Sequence, residues 1–147
     1  MTGKADFSEA EWDTVLRGPT TAGLIVLTAQ RGGTFRETFA ITKAYVEARK
    51  APGQSQLVDE IVQARPELDH TRYRSPDELR QAGLRHLADA VELLRGKAGS
   101  EELEAYRSFV LALAERVAEA HREDGVQVSD AERAALDEVR RALAGTV

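Results

Sequence analysis

Between Glu119 and Glu132 the sequence places five carboxylates (Glu119, Glu123, Asp124, Asp130 and Glu132) against a single guanidinium, Arg122, within the stretch AEAHREDGVQVSDAERAALDEV. Oxygen-rich clusters of this kind are what hard cations such as Ca2+ and Mg2+ bind. Spacing limits how they could do so. With Gly125 set at the sixth position of an EF-hand loop, Ala120, Arg122 and Ala131 fall where ligands are required, so that motif is absent. An ion site here has to be assembled from more than one segment. The same residues also suit a capped joint between two helices. Glu132 follows Ser129 by three residues, as a capping box requires. Asp130 falls in the first turn, where a carboxylate interacts favourably with the helix dipole. Glu123 and Asp124 fall at the end of the preceding helix, where negative charge is mildly unfavourable and calls for an offset. Both readings of the joint stand on the sequence.

Other chemistry is sparse. His70, His86 and His121 form no pair at four-residue helical spacing, so no zinc pair is present on one helix face. His86 lies beside an apolar stripe and reads as a packing residue, and His121 reads as a histidine near a helix C-terminus. Glu67-x-x-His70 has no second copy, whereas a di-iron bundle needs two such elements and further glutamates. Phosphate-cradling glycine loops, the G-x-S-x-G elbow and the kinase and Rossmann signatures are missing. The serines stand mainly at helix starts, where capping explains them better than nucleophilic catalysis. Trp12, Tyr45, Tyr73 and Tyr106 read as core or boundary aromatics. With no cysteine, disulfides, thiolate metal sites and a cysteine nucleophile are excluded. The expectation is a protein that is not an enzyme.

Helices must position these groups, and their punctuation is dense. Ser or Thr is followed three residues later by Glu at Ser8/Glu11, Thr34/Glu37, Ser75/Glu78 and Ser129/Glu132, the spacing of a capping box. Phe7 and Trp12 flank the first of these as a hydrophobic staple would, and Pro76 stands at a first helical position, where its missing N–H costs nothing. Further helices start near Ser55 and Ser100. Stops are expected at Gly18-Pro19, Gly32-Gly33, Pro52-Gly53, Pro66, Gly96 and Gly125, which gives about seven helices. Leu79, Ala82, Leu87, Ala90, Val91 and Leu94 form one apolar stripe at helical spacing, and Leu103, Tyr106, Phe109, Val110, Leu113 and Val117 form another. Residues 22–29 are apolar on nearly every side, which marks a helix at the centre of a bundle. No segment alternates with period two. The expected fold is all-α, a helical bundle in one domain spanning residues 1–147.

Charge and composition narrow the partners. The 147 residues are 42% hydrophobic and 31% charged, as in globular proteins. A net charge of −5, with arginines interleaved by acidic residues, argues against nucleic acid as a partner. The most apolar run, AGLIVL at 22–27, is far too short for an integral membrane segment, and Met1 to Asp6 does not open a signal peptide. A cytoplasmic location is expected.

The segments LTAQRGGTFRETFAITKAY and VAEAHREDGVQVSDAERAALDEV share one plan: helix, alanine, polar turn with glycine, capping hydroxyl, Glu, apolar helix. The second resembles the tellurite-resistance TerB-like family through Ala120, Asp124-Gly125, Val128-Ser129, Glu132 and Leu136. The first looks like the same family's N-terminal hairpin through Ala29, Gly33, Glu37 and Ile41. Together the windows cover about a third of the chain. The resemblance implies an all-helical fold, a cytoplasmic stress-associated role without catalysis, and a divalent cation bound by acidic residues near the two joints. Carried over by position, those residues are Asp124, Glu132 and Glu37. The first joint departs from the pattern, because Arg31 and Gly32 stand where an acidic residue is expected.

The leading expectation is therefore a non-catalytic TerB-like protein that works by binding a protein partner, with Ca2+ or Mg2+ at the Asp124/Glu132 loop. The alternative is a small-molecule-binding or sensor domain with a pocket between helices. A homo-oligomer is a third reading, in which an apolar face around Phe39, Ile41 and Tyr45 stays exposed on the monomer.

Overall fold

Local capping chemistry sets where the helices begin. In the computed structural model, which describes residues 4–29, 35–50, 55–63, 75–123 and 130–144, a 3-10 turn at Lys4–Asp6 leads into α1 (Glu9–Ala29). The Ser8 amide donates to Glu11 Oε1 at 2.8 Å and the Glu11 amide donates to Ser8 Oγ at 3.2 Å, a complete capping box. Phe7 and Trp12 close the staple, their ring centroids 5.7 Å apart. There follow α2 (Phe35–Lys50), α3 (Gln56–Gln63), α4 (Pro76–Lys97), α5 (Ser100–Glu123) and α6 (Asp130–Ala144). Ser55 caps α3 through the Val58 amide at 3.4 Å, and Ser75, in extended conformation, accepts from the Glu78 amide at 3.2 Å with Pro76 opening α4. Of the other two expected boxes, Thr34 and Ser129 lie outside the described residues.

Helix ends are held differently. At α6, Arg107 Nε donates to the Leu143 carbonyl at 2.6 Å and Arg95 Nη2 to the Ala144 carbonyl at 3.0 Å. Arg49 Nε donates to the Val62 carbonyl at the end of α3. Each guanidinium supplies donors and positive charge where a helix offers unsatisfied carbonyls. Gly96, an expected stop, lies inside the last turn of α4, which closes through the Ala98 amide on the Leu94 carbonyl at 2.7 Å.

The fold is an all-α bundle, with six α-helices and no strand among the described residues. α1 lies at its centre, against α2, α4, α5 and α6, as the all-round apolar run from residue 22 predicts. Ala22, Ile25 and Val26 meet the stripe of Leu87, Ala90, Val91 and Leu94 on α4 and that of Tyr106, Val110, Leu113 and Val117 on α5 in one apolar core. α6 adds Ala135, Val139 and Ala142, and α2 and α3 add Ile41, Tyr45, Leu57 and Ile61. The start of the α4 stripe is looser than expected, with Leu79 half-buried and Ala82 exposed. No helix among the described residues is long and apolar enough to cross a membrane.

Two expectations are corrected. Gly18-Pro19 does not end a helix, and this accounts for six α-helices in place of about seven. Proline at position 19 removes the N–H that would bond the carbonyl of residue 15. The Tyr106 hydroxyl of α5 donates to that carbonyl at 2.9 Å, and α1 continues. Burial pushes the Tyr106 phenol far above its ordinary value, so it keeps the proton that it donates. The second correction concerns two of the three residues of the face proposed for self-association; the side chain of the third, Phe39, lies outside the described residues. Ile41 and Tyr45 are each 1% exposed, and Tyr45 packs edge-on against Phe109 at 5.4 Å. Their side chains face the core, so they offer no apolar surface to a second copy.

Candidate functional site

Glu132 is the third residue of α6, and its register explains where it goes. Positions 132, 135, 139 and 142 recur at three- and four-residue intervals, and the last three carry the core residues Ala135, Val139 and Ala142. Glu132 shares that inward stripe and is 0% exposed. A carboxylate withdrawn from water needs a compensating donor or positive charge, and Glu132 takes part in a further interaction with its surroundings. The amino-terminal end of α6 contributes part of the compensation through its dipole.

The other residues of the predicted ion site cannot be placed beside it. Asp124 lies outside the described residues. Glu37 is the third residue of α2, but its side chain lies outside them. Asp130 and Glu119 are exposed. Among the described residues no group of three or more His, Asp or Glu side chains could hold a metal ion. Of the histidines, half-buried His86 places Nε2 2.9 Å from the Thr14 carbonyl, which makes it the packing residue that its position beside the stripe suggested. His70 and the side chain of His121 lie outside the described residues. Trp12, Tyr45 and Tyr106 are core aromatics.

A second feature lies between α5 and α6, away from the acidic joint. A groove of about 300 Å³ is lined by Glu104, Arg107, Ser108 and Leu111 on α5 and by Arg140, Leu143 and Ala144 on α6. Leu111, Leu143 and Ala144 supply apolar surface, with Arg107, Arg140 and Ser108 around it. Arg107 is committed to the Leu143 carbonyl and to Glu104. Arg140 is freer: it donates to Asp137 at 3.1 Å and stands 4.0 Å from Glu115, all three side chains being at least half exposed. Such exposed pairs are weak and exchange readily. None of these residues stands out in the sequence. The Glu104/Arg107 and Asp137/Arg140 pairs read as ordinary helix-surface spacing, and only the crossing of α5 and α6 turns them into one surface.

Interhelical ion pairs also tie the helices together. Lys97 of α4 donates to Glu11 at 2.8 Å, and together with the Ser8 amide this holds the Glu11 carboxyl below the usual glutamate range. Arg116 of α5 does the same for Glu47 of α2. These groups are open to solvent and their chemistry is electrostatic pairing.

No family model, no curated protein and no solved structure matches the chain.

Proposed function

We propose that the chain is a non-catalytic, TerB-like helical protein with a stress-associated role in the cytoplasm, and that it acts by binding. Its acidic α5/α6 joint takes a divalent cation, Ca2+ or Mg2+, through Asp124 and Glu132, with Glu37 as a further ligand. The observation that supports this most is the complete burial of Glu132 at the start of α6, in a segment rich in other carboxylates. The donor set is oxygen only, which suits hard cations and not zinc or copper. When bound, the cation supplies positive charge at the joint. The chain's own contribution is to hold Glu132 at the head of α6, so that occupancy of the joint is coupled to the packing of that helix.

A ligand that binds only the folded state raises the melting temperature with its concentration. Thermal unfolding after chelation, then with Ca2+, Mg2+ or Mn2+, is expected to show a rise in wild type and none in Asp124→Asn or Glu132→Gln. If Glu132 serves only to cap α6, Glu132→Gln lowers stability by the same amount with and without cation, and wild type does not respond at millimolar concentrations. That outcome removes the metal from the proposal.

The groove between α5 and α6 favours a second reading, a small-molecule-binding domain. Its volume lies at the lower end of ligand sites, and an apolar floor with a few polar groups suits a small amphipathic molecule. In a thermal-shift panel of such molecules, a ligand of this groove stabilises wild type and not Leu111→Trp, whose indole fills it. Equal stabilisation of both proteins, or of neither, counts against the groove.

A further inference from the structure

We propose that α1 is a jointed helix, with Pro19 as the joint and the Tyr106 hydroxyl as a latch that keeps it closed. The register carries the argument. In an unbroken helix the carbonyl of residue 15 accepts from the amide of residue 19, and proline has none to give. Tyr106, 0% exposed and anchored 91 residues away on α5, places its hydroxyl 2.9 Å from that carbonyl. One residue earlier, His86 of α4 brings Nε2 to 2.9 Å from the Thr14 carbonyl. Gly18 leaves the space that the latch needs, since a Cβ there would stand 1.9 Å from the Tyr106 oxygen. Two neighbouring helices thus clasp consecutive carbonyls on the amino-terminal side of the joint.

The two halves of α1 are anchored differently. Beyond the joint, Thr20 to Gly23, Ile25 and Val26 are buried, with Leu24 and Leu27 half-buried. Before it, Trp12 and Val15 are the buried apolar anchors, while Asp13, Thr14, Leu16 and Arg17 are only half-buried. Elements with fewer buried contacts open at lower free energy than the core. The latch sits where this difference falls. Released, residues 9–18 open as a unit and uncover Leu87 and Tyr106, which flank Gly18, while residues 20–29 stay packed.

Native-state hydrogen exchange on wild type, Tyr106→Phe, Pro19→Ala and the double variant tests this. Wild-type amides of residues 13–18 exchange through a smaller opening than those of residues 22–26. Tyr106→Phe leaves the Val15 carbonyl without its donor and speeds exchange at 13–18 about 10- to 100-fold, with 22–26 much less affected. Pro19→Ala restores the missing amide, so in that background the same substitution changes exchange by less than about threefold. Pro19→Ala also keeps the experiment informative should Tyr106→Phe alone fold poorly. Equal acceleration of both halves by Tyr106→Phe overturns the joint. An undiminished effect in the Pro19→Ala background, or none in wild type, overturns the latch.

Discussion

Gly18 and Gly96 both lie inside α-helices, where alanine is intrinsically the better residue, yet their surroundings differ. A Cβ at Gly18 meets the Tyr106 hydroxyl, whereas one at Gly96 meets nothing within 4 Å. Gly18→Ala therefore destabilises, by roughly 1–3 kcal/mol for an overpacked site, and Gly96→Ala stabilises by about 0.5–1 kcal/mol. Chemical or thermal unfolding distinguishes the signs. Glu11 gives a pH prediction. Lys97 and the Ser8 amide depress its carboxyl in the folded state. Its contribution is complete above the unfolded-state value and is lost as pH falls through the folded one. Glu11→Gln, which retains a capping side chain, should melt below wild type at pH 7, and the gap should close on acidification below the ordinary glutamate range. At this scale the sequence reveals less than it contains. Glu132 reads as a cap or an ion ligand, but its spacing from Ala135 and Val139 already places it on a buried stripe. A carboxyl on that stripe is easily assigned to the surface, because carboxyl side chains are seldom fully buried.

Helix starts are more legible than helix ends, and the reason is sequence distance. A capping hydroxyl reaches an amide three residues on, so Ser8 and Ser75 announce α1 and α4 within a short window. The arginines that hold the end of α6 come from 36 and 49 residues away, and the hydroxyl that carries α1 past Pro19 from 91. Windowed reading cannot find such partners, which is why Gly18-Pro19 looks like a stop. The excess of arginine over lysine acquires a structural use here, since Arg49, Arg95 and Arg107 each bond a terminal carbonyl. Arg107→Leu keeps much of the bulk and loses the donor. It is expected to cost about 1.5–3 kcal/mol, as for a hydrogen bond from a charged group, with faster amide exchange confined to the last turn of α6. Uniform acceleration along α6 would instead mark a packing defect.

For the whole molecule, the all-α class was legible because the apolar stripes keep helical spacing over α4 and α5 and residues 22–29 are apolar all round. The bundle's assembly was not, because it depends on which stripes meet. Small residues on and against α1 decide that. At Gly23 a Cβ would come within 2.9 Å of both the Ile41 Cδ1 and Leu113 Cδ2 atoms, so α2 and α5 converge on α1 there. At Gly83 of α4 it would come within 2.9 Å of Ile25 Cδ1, so α4 closes on α1 from another side. α1 running unbroken through Pro19, with these three helices around it, is the centre of the fold. A nuclear Overhauser spectrum of methyl-labelled protein measures this directly. It should connect Gly23 to the Ile41 and Leu113 methyls, Gly83 to Ile25, and Gly18 to the Tyr106 ring. Helical connectivities that stop at Gly18, or the absence of the Gly23 and Gly83 cross-peaks in folded protein, would contradict it.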